Sequence, residues 1–414
     1  MESSASLELA KHALLMFGII LALGTLSGLL ARLAKVPDVV IFLLIGMLIG
    51  PGLLGWVNIK ADSVLNQLIM IFGSSYILFD GGASIRLQVL KEVWITLLAL
   101  ATLGVLITAA ITGAAAYYFL GVSPIVALLL GSVIASTDPA TLVPVFKQVR
   151  IKERVAQTVM SESAFNDAIG AILTFTVLGL AMGAGDFSPG AAIADLLKQS
   201  LLGIVIGGVL GYLAALLISH EKLGFLAEFA PVVSLMAVIA AYMGADGMGS
   251  SGFMAVFVFG IMLGNQSSLG FKQTEQESHQ LEDFVMTTAL IMRMFIFILL
   301  GTQVNFALMG QYLFAGVAVV AVFMLVARPA TVLLCALPDR RAQWSYKEML
   351  FMCWTRETGV IPGALAGLLL GMKAPGADII AAITFIAILM TILIQATTTK
   401  WLARKLDLLT DDQP

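Results

Sequence analysis

Two short stretches of this sequence place acidic and hydroxyl side chains inside long apolar segments. Their residues are Thr137, Asp138 and Pro139 in the first stretch, and Glu162, Ser163, Asn166 and Asp167 in the second. An ionisable side chain in hydrocarbon costs about 2.5–3.5 kcal/mol even on the most lenient insertion scale, so its presence there indicates a function or a partner. Carboxylate and hydroxyl oxygens bind hard cations, and a carboxylate also binds a proton. The residue types therefore indicate the chemistry of small cations.

The second stretch contains the acid that we expect to titrate, Asp167. Spacings of three and four residues place its polar side chains on neighbouring faces of one predicted helix: Glu162, Ser163, Asn166 and Asp167. Desolvation raises the proton affinity of a buried carboxylate, whereas a bound monovalent cation favours the ionised form. A site that holds either ion, and that opens to either side in turn, couples two opposed fluxes. A charge buried only for packing is the alternative.

The remaining polar residues of the two stretches supply oxygen atoms or position them. Ser163 and Asn166 carry oxygens that hard cations accept, although helix–helix hydrogen bonding suits them equally. Pro139 removes an amide donor and leaves carbonyl groups unpaired, which is tolerated at membrane depth only beside a cavity or a ligand. Thr137 therefore offers hydroxyl and carbonyl oxygens, while Asp138 is expected mainly to cap or offset a half-helix dipole.

Three arginines also lie in apolar sequence and each requires a counter-charge: Arg293, Arg328 and Arg356. Arg328 is the predicted partner of Glu162, and this pairing leaves the second acid of the same helix as the titrating group. Arg356 stands beside Glu357 at a predicted helix break, where it could pair locally or with Asp138. Arg356 and Glu357 are therefore predicted to be auxiliary residues of the site.

The composition is that of a polytopic membrane protein. Of the 414 residues, 59% are hydrophobic and 12% are charged, whereas soluble domains contain about 25% charged residues. The sequence has neither a phosphate-binding loop nor a nucleophile elbow, which argues against an ATP-driven pump or a hydrolase. The two cysteines indicate no disulfide framework and no spacing suggests a zinc site, so we expect no cofactor and no nucleic-acid partner.

Thirteen membrane spans are predicted, at about 20 apolar residues per crossing. They lie near 10–31, 38–55, 63–81, 92–119, 124–146, 155–182, 190–219, 224–244, 250–264, 280–303, 311–337, 346–371 and 376–402. Sixteen of the 23 lysines and arginines then fall on one side of the membrane and four on the other. This asymmetry places the C-terminus in the cytoplasm and the N-terminus outside a cell (inner) membrane.

The two halves of the chain share an internal similarity. The third and tenth spans have matching apolar patterns. The fifth span is interrupted at Thr137-Asp138-Pro139, and the twelfth at Thr358-Gly359 and Pro362-Gly363. An offset of seven spans reverses the orientation, so the fold class is predicted to be all-α with two inverted six-helix repeats and discontinuous helices at spans 5 and 12. The predicted divisions are repeats at 1–182 and 223–406, a linker span at 183–222 and a cytoplasmic tail at 407–414.

These motifs resemble those of the monovalent cation/proton antiporters of the NhaP type, relatives of the animal sodium/proton exchangers. The resemblance covers almost the whole chain and rests on Thr137-Asp138-Pro139-Ala140-Thr141, Glu162-Ser163-x2-Asn166-Asp167 and Ala327-Arg328-Pro329. It implies that Asp167 carries both ion and proton. It also implies that Thr137 and Ser163 help to hold Na⁺ or a similar cation. Glu162 and Arg328 would form a structural ion pair.

The same resemblance implies a homodimer among membrane lipids, in which a six-helix core slides against a dimer domain like an elevator. Relatives with an Asn-Asp pair, as at Asn166-Asp167, generally exchange one cation for one proton, so electroneutral exchange is expected. The chain departs from the pattern in its twelfth span. Counted from Trp354 and Pro362, Arg356 falls two positions earlier than the arginine of many relatives.

The leading hypothesis is therefore a secondary antiporter, not an enzyme, that exchanges Na⁺, Li⁺ or K⁺ for H⁺. An organic-anion transporter of the inverted-repeat type is one alternative, although it requires cationic groups at the break. An intramembrane aspartyl hydrolase is another, and it requires two close carboxylates, for which Asp138 and Asp167 are the candidates. A selective channel would conduct cations without opposed proton movement.

Overall fold

The structure, a computed structural model, describes residues 2–34, 38–137, 151–183, 189–219, 224–271 and 274–409. Its α-helices are α1 (Glu2–Ala34), α2 (Asp38–Ile49), α3 (Val64–Ala83), α4 (Leu87–Leu90), α5 (Trp94–Ala101), α6 (Leu103–Leu120), α7 (Pro124–Ile134), α8 (Glu153–Ala181), α9 (Pro189–Ser219), α10 (Ala230–Gly247), α11 (Gly252–Gly264), α12 (Glu275–Thr302), α13 (Phe306–Val322), α14 (Arg328–Ala336), α15 (Tyr346–Trp354), α16 (Val360–Gly371), α17 (Ala377–Met390) and α18 (Thr397–Lys405). Two 3₁₀ turns, Ala227–Phe229 and Gln266–Leu269, and two π-helical turns, Phe323–Ala327 and Thr391–Ala396, accompany them.

The predicted all-helical membrane fold is confirmed. Within the described ranges, nine helical segments are long and apolar enough to cross a membrane. Four shorter apolar helices lie at the second, fifth, ninth and twelfth predicted spans: Asp38–Ile49, Pro124–Ile134, Gly252–Gly264 and Ile361–Gly371. Every predicted span thus overlaps a helix, while the number of crossings and the inverted repeat stay predictions.

Helices α7 and α15 end close to predicted interruptions, whereas Pro362 and Gly363 lie inside α16. Helix α7 begins with Pro124 at its first turn, a position where the missing amide costs nothing, and it ends at Ile134. In the twelfth span, α15 begins at a Ser345–Glu348 capping box, and residues 355–359 separate it from α16. The predicted break at Pro139 lies outside the described residues.

Close backbone packing and a widened helical turn position the helices around these interruptions. Gly131 of α7 lies against the Ala109 carbonyl oxygen of α6, where a Cβ atom would overlap the backbone. The π-helical turn Phe323–Ala327 comes directly before Arg328. Pro329 has no amide hydrogen for the carbonyl four residues earlier, which accounts for a change in hydrogen bonding at that place.

We divide the described helices into two groups by their packing and their polar contacts, and call them the site group (α5–α8 and α13–α18) and the frame group (α1–α4 and α9–α12). Side-chain bonds within the site group join Thr96 to Asp339, Thr108 to Thr331, Arg154 to Glu348, Trp354 to Thr398 and Lys347 to Asp407. Bonds within the frame group join Asn66 to Gln303, Ile85 to Asn265 and Ser219 to Gln266. Two exposed ion pairs, Asp62–Lys373 and Arg86–Glu153, join the groups at opposite ends of α3.

The C-terminal segment returns to the start of α8. Leu409 forms an isolated antiparallel β-bridge with Ile151, and the Lys152 amide donates to the Leu408 carbonyl oxygen at 3.0 Å. Leu408 is buried in the same apolar cluster as Ile151. The last described residues are therefore attached to the helix that contains Asp167.

Asp339, in the turn between α14 and α15, attaches that turn to α5. Its Oδ2 accepts bonds from the Thr96 amide (3.1 Å) and hydroxyl (2.6 Å). Its Oδ1 accepts from the amides of Arg341 (3.2 Å) and Ala342 (3.3 Å), and the Trp344 indole donates to the Thr96 hydroxyl oxygen at 2.9 Å. Burial by itself raises the pKa of Asp339, but these bonds favour the ionised form and hold the pKa below its ordinary value of 3.8.

We expect Asp339→Asn to lower the free energy of unfolding by about 1–3 kcal/mol, because an amide group would face donors that now meet a carboxylate. Since the folded pKa lies below the unfolded one, the carboxylate stabilises the protein above its ordinary pKa. This contribution is lost as the pH falls through the lowered value. Thermal unfolding in detergent measures both effects. Asp407→Asn is the matched control and should melt like the parent, because its ion pair is exposed. Equal melting of the two variants would contradict the assignment.

Candidate cation site

Three of the predicted site residues are in direct contact. The Thr137 amide donates to Asn166 Oδ1 at 3.0 Å, and the Asn166 amide group donates to Thr137 Oγ1 at 2.8 Å. Thr137 Oγ1 also lies 2.8 Å from Ser163 Oγ. All three side chains are buried. The unwound end of the fifth span is thus attached to α8 through groups that carry oxygen atoms.

A close approach of the two segments extends this contact along α8. Gly170 lies one helical turn beyond Asn166 and faces Ser136, so that a Cβ atom at Gly170 would overlap the Ser136 hydroxyl oxygen. A Cβ atom would require the Ser136 hydroxyl group to rotate away, so glycine allows the close approach as it stands. The sequence pattern did not single out Gly170, because glycines are common in membrane helices.

Asp167 follows Asn166 on α8 and is 4% exposed. It lies one helical turn from Ser163, so the carboxylate and the hydroxyl group occupy adjacent positions on the helix surface. Asp138, predicted to stand beside Thr137, lies outside the described residues. The structure therefore brings Thr137, Ser163 and Asn166 together, next to the position of Asp167.

Glu162 and Arg328 form a bidentate ion pair between α8 and α14. The two guanidinium nitrogens lie 2.5 Å and 2.9 Å from the two carboxylate oxygens. Both side chains are at most 2% exposed. Arg328 also donates to the carbonyl oxygens of Met352 (2.7 Å) and Thr355 (3.4 Å), at the end of α15. The ion pair thus connects α8 to the interruption in the twelfth span.

The two auxiliary residues of the twelfth span, Arg356 and Glu357, are also buried. Arg356 donates to Thr108 Oγ1 at 3.0 Å and to the Ala135 carbonyl oxygen. The sequence predicted an acidic partner for this arginine, whereas its described hydrogen bonds go to uncharged oxygens. Thr108 itself carries no motif that could have identified it.

Comparison with known proteins places the chain in a family. The sequence profile described as "Sodium/hydrogen exchanger, transmembrane" matches residues 18–405. The chain belongs to this exchanger family. The Na(+)/H(+) antiporter 1 of Methanocaldococcus jannaschii is 34% identical over 360 residues, which cover 84% of this chain and 81% of that protein. The K(+)/H(+) antiporter NhaP of Alkalimonas amylolytica is 29% identical over 406 residues, which cover 97% and 68%.

The comparison with solved structures also finds an antiporter. The sodium proton antiporter MjNhaP1 from Methanocaldococcus jannaschii at pH 8 matches with a TM-score of 0.79 and 29% identity, over 94% of this chain and 97% of that chain. The predicted resemblance to NhaP-type antiporters is confirmed. These relatives are transporters, so the exchanger assignment also agrees with the prediction that the chain is not an enzyme.

The side-chain atoms that the candidate site offers to a cation are oxygens. In the part of the chain that the structure describes, no group of three or more His, Cys, Asp and Glu side chains could hold a metal ion. The Thr137 and Ser163 hydroxyls, beside one carboxylate, instead form a sparse set of hard donors. Such a set suits a monovalent cation that binds weakly enough to be released.

For the Glu162–Arg328 pair we expect non-additive losses of stability. Glu162→Gln and Arg328→Met should each lower the free energy of unfolding by about 3–5 kcal/mol, because each leaves one buried charge without its partner. The double variant removes both charges and should be more stable than the sum of the two losses predicts. Thermal unfolding of the four proteins in one detergent measures the coupling. Strictly additive losses would show that the two side chains do not depend on each other.

Proposed function

We propose that this exchanger is a secondary antiporter in which Asp167 binds Na⁺ and H⁺ alternately. The supporting observation is the buried cluster of Thr137, Ser163 and Asn166 beside this acid, at an interrupted helix. Interrupted helices at membrane depth commonly surround transported ions. The Thr137 and Ser163 hydroxyl oxygens are 2.8 Å apart, a hydrogen-bond distance, so a cation that binds both oxygens would replace this bond. The names of the relatives include both Na⁺ and K⁺. Exchange of Na⁺ is therefore to be compared with exchange of K⁺, and with that of the smaller ion Li⁺.

Competition for one carboxylate couples the two fluxes. A proton on Asp167 removes the negative charge that the cation requires, and a bound cation favours the ionised form. In this proposal Thr137 and Ser163 supply neutral oxygens to the cation. Asn166 orients the unwound segment, and Asp138 offsets the helix dipole. Glu162 and Arg328 keep the helices in place.

The buried charges around the interruptions support exchange of one cation for one proton. Three acids and two arginines lie there: Glu162, Asp167, Glu357, Arg328 and Arg356. With all five ionised, these described residues carry one surplus negative charge. One proton or one monovalent cation offsets it, and a second would leave an uncompensated positive charge in a poorly solvated place. We therefore infer electroneutral exchange.

The division into a site group and a frame group supports elevator-type alternating access. The described side-chain hydrogen bonds between helices lie within the groups, and the exposed ion pairs Asp62–Lys373 and Arg86–Glu153 connect them. Elsewhere the groups meet through apolar packing, such as that of Phe165 against Phe257. Exposed ion pairs contribute little to stability, so they can break and re-form during movement. The site group would move as one body and take Asp167 with it.

The remaining parts of the proposal concern the protein's place in the membrane. We propose a homodimer in the cell (inner) membrane, because a moving site group requires a frame that stays still among the lipids. The excess of basic residues places the N-terminus outside and the C-terminus in the cytoplasm. The repeats span 1–182 and 223–406, with 183–222 as linker and 407–414 as tail.

The buried arginines do not favour the anion-transporter alternative. Arg328 is bidentate with Glu162, and Arg356 is bonded to Thr108 and to the Ala135 carbonyl. An organic anion would have to displace these bonds to reach either guanidinium group. A channel is distinguished by function, because its cation flux requires no opposed proton movement.

Asp167→Asn should abolish exchange and leave the protein folded, because asparagine binds no exchangeable proton and carries no charge for the cation. The measurement is dye-monitored proton flux in proteoliposomes with a pH gradient, to which Na⁺, Li⁺ or K⁺ is added in turn. Asp246→Asn, an exposed position on α10, is the matched control and should behave like the parent. Cation-dependent proton release that persists in Asp167→Asn would refute the assignment. Cation flux in the parent without proton release would indicate a channel.

Linking the two helix groups should stop exchange. Cysteines at Asp62 and Lys373, in a protein without Cys335 and Cys353, are joined by a short bifunctional thiol reagent. We expect this bridge to abolish exchange, because it prevents the site group from moving relative to α3. Cysteines at Lys347 and Asp407 are the matched control, since that exposed ion pair lies within the site group. Unchanged exchange after complete bridging of the first pair would contradict the elevator.

A further inference from the structure

Arg356 contributes a charge to the proposed balance, but that role does not explain the groups to which its side chain is bonded. Its side chain is 2% exposed, and its guanidinium carbon lies 5.4 Å from the centroid of the Phe323 ring. Nη1 donates to Thr108 Oγ1 at 3.0 Å, and Nη2 donates to the Ala135 carbonyl oxygen. A buried cation bonded to uncharged oxygens is costly, so its position requires an explanation.

The Ala135 carbonyl belongs to the end of α7. Ala135 is the residue directly after the helix, where the last carbonyl groups have no intrahelical partner and carry partial negative charge. Arg328 has the same relation to α15, since it donates to the carbonyl oxygens of Met352 and Thr355. Each of the two interrupted helices therefore ends at a buried arginine.

The segment after α7 is held at two points. Arg356 holds it at Ala135, and Asn166 and Ser163 hold it two residues later, at Thr137. Between these points Ser136 packs against Gly170 of α8. Movement of Ala135 would therefore change the distance between the Thr137 hydroxyl and the other oxygens of the site.

We propose that Arg356 is a positioning residue that determines cation preference by holding the end of α7. The inference rests on the proposed function, because it concerns the same oxygen cluster. Discrimination among alkali cations depends on cavity size and on how firmly the oxygens are held. A firmly held Thr137 hydroxyl keeps the cluster small, which favours the smaller cations, whereas a loosened segment admits the larger ones.

The test compares Arg356→Lys, Arg356→Gln and Thr108→Val with the parent. Lysine keeps the charge but lacks the planar group that reaches two oxygens at once. Thr108→Val removes the Nη1 acceptor and leaves the Ala135 carbonyl in place. Thr331→Val is the matched control, because Thr331 contacts Thr108 at 3.1 Å without contacting Arg356 in the described bonds. Each protein is assayed for apparent affinity and maximal exchange rate with Na⁺, Li⁺ and K⁺, and for cation-induced thermal stabilisation.

We expect Arg356→Lys to fold and exchange, with apparent Na⁺ affinity reduced by about 10–100-fold, as is typical when a group that orients metal ligands is removed. The apparent affinity for K⁺ should change much less, so the ratio of the Na⁺ and K⁺ affinities decreases. The maximal exchange rate should be largely unchanged. Arg356→Gln should show a larger effect of the same kind, and Thr108→Val a smaller one. Thr331→Val should keep the preference of the parent.

Two results would overturn the inference. One is an Arg356→Lys protein whose affinities for all three cations stay within about twofold of the parent, a change too small for a lost orienting group. The other is an equal loss for all three cations together with a lower melting temperature, which indicates a general structural role. If Arg356→Gln does not fold, the lysine and Thr108 variants still decide the question. A parent that neither exchanges nor is stabilised by any cation overturns both this inference and the proposed function.

Discussion

Backbone carbonyl groups that leave a helix inside a membrane need other partners, and this requirement governs the centre of the protein. No water is available in hydrocarbon to replace the lost bonds, so protein groups must supply them. At the end of α15 Arg328 supplies them, and at the end of α7 Arg356 does so. The Thr137 amide likewise donates to Asn166. The interruptions are thus supported by long polar side chains from neighbouring helices.

Each of these supports introduces a charge that must itself be stabilised. Arg328 is balanced by Glu162 in a bidentate pair, which explains why an acid that carries no ion in our proposal stands so near Asp167. The site therefore contains two kinds of acid with different partners. Glu162 is paired with a resident arginine, and Asp167 is the acid that binds the transported ions in our proposal. Their separation by five positions on α8 keeps these roles on different faces of one helix.

Much of this arrangement could be predicted from the sequence. The periodicity of apolar segments indicated the helices, and short helical spacings placed Ser163 and Asn166 near Asp167. The need for a buried counter-charge led to the Glu162–Arg328 pair. The partners of Arg356 could not be predicted, because Thr108 and the Ala135 carbonyl are ordinary groups that become neighbours only when α6 and α7 pack against the twelfth span. The same holds for Ser136 and Gly170, whose contact depends on the path of an unwound segment.

The β-bridge between Ile151 and Leu409 has a mechanical consequence. It attaches the chain's last described residues to the two residues directly before α8, the helix that contains Asp167. A protein domain fused after Leu409, or an antibody that pulls on that end, would therefore act on the start of α8. In the elevator that we propose, labels attached there would report on the site group, and labels attached to α1 would serve as the reference.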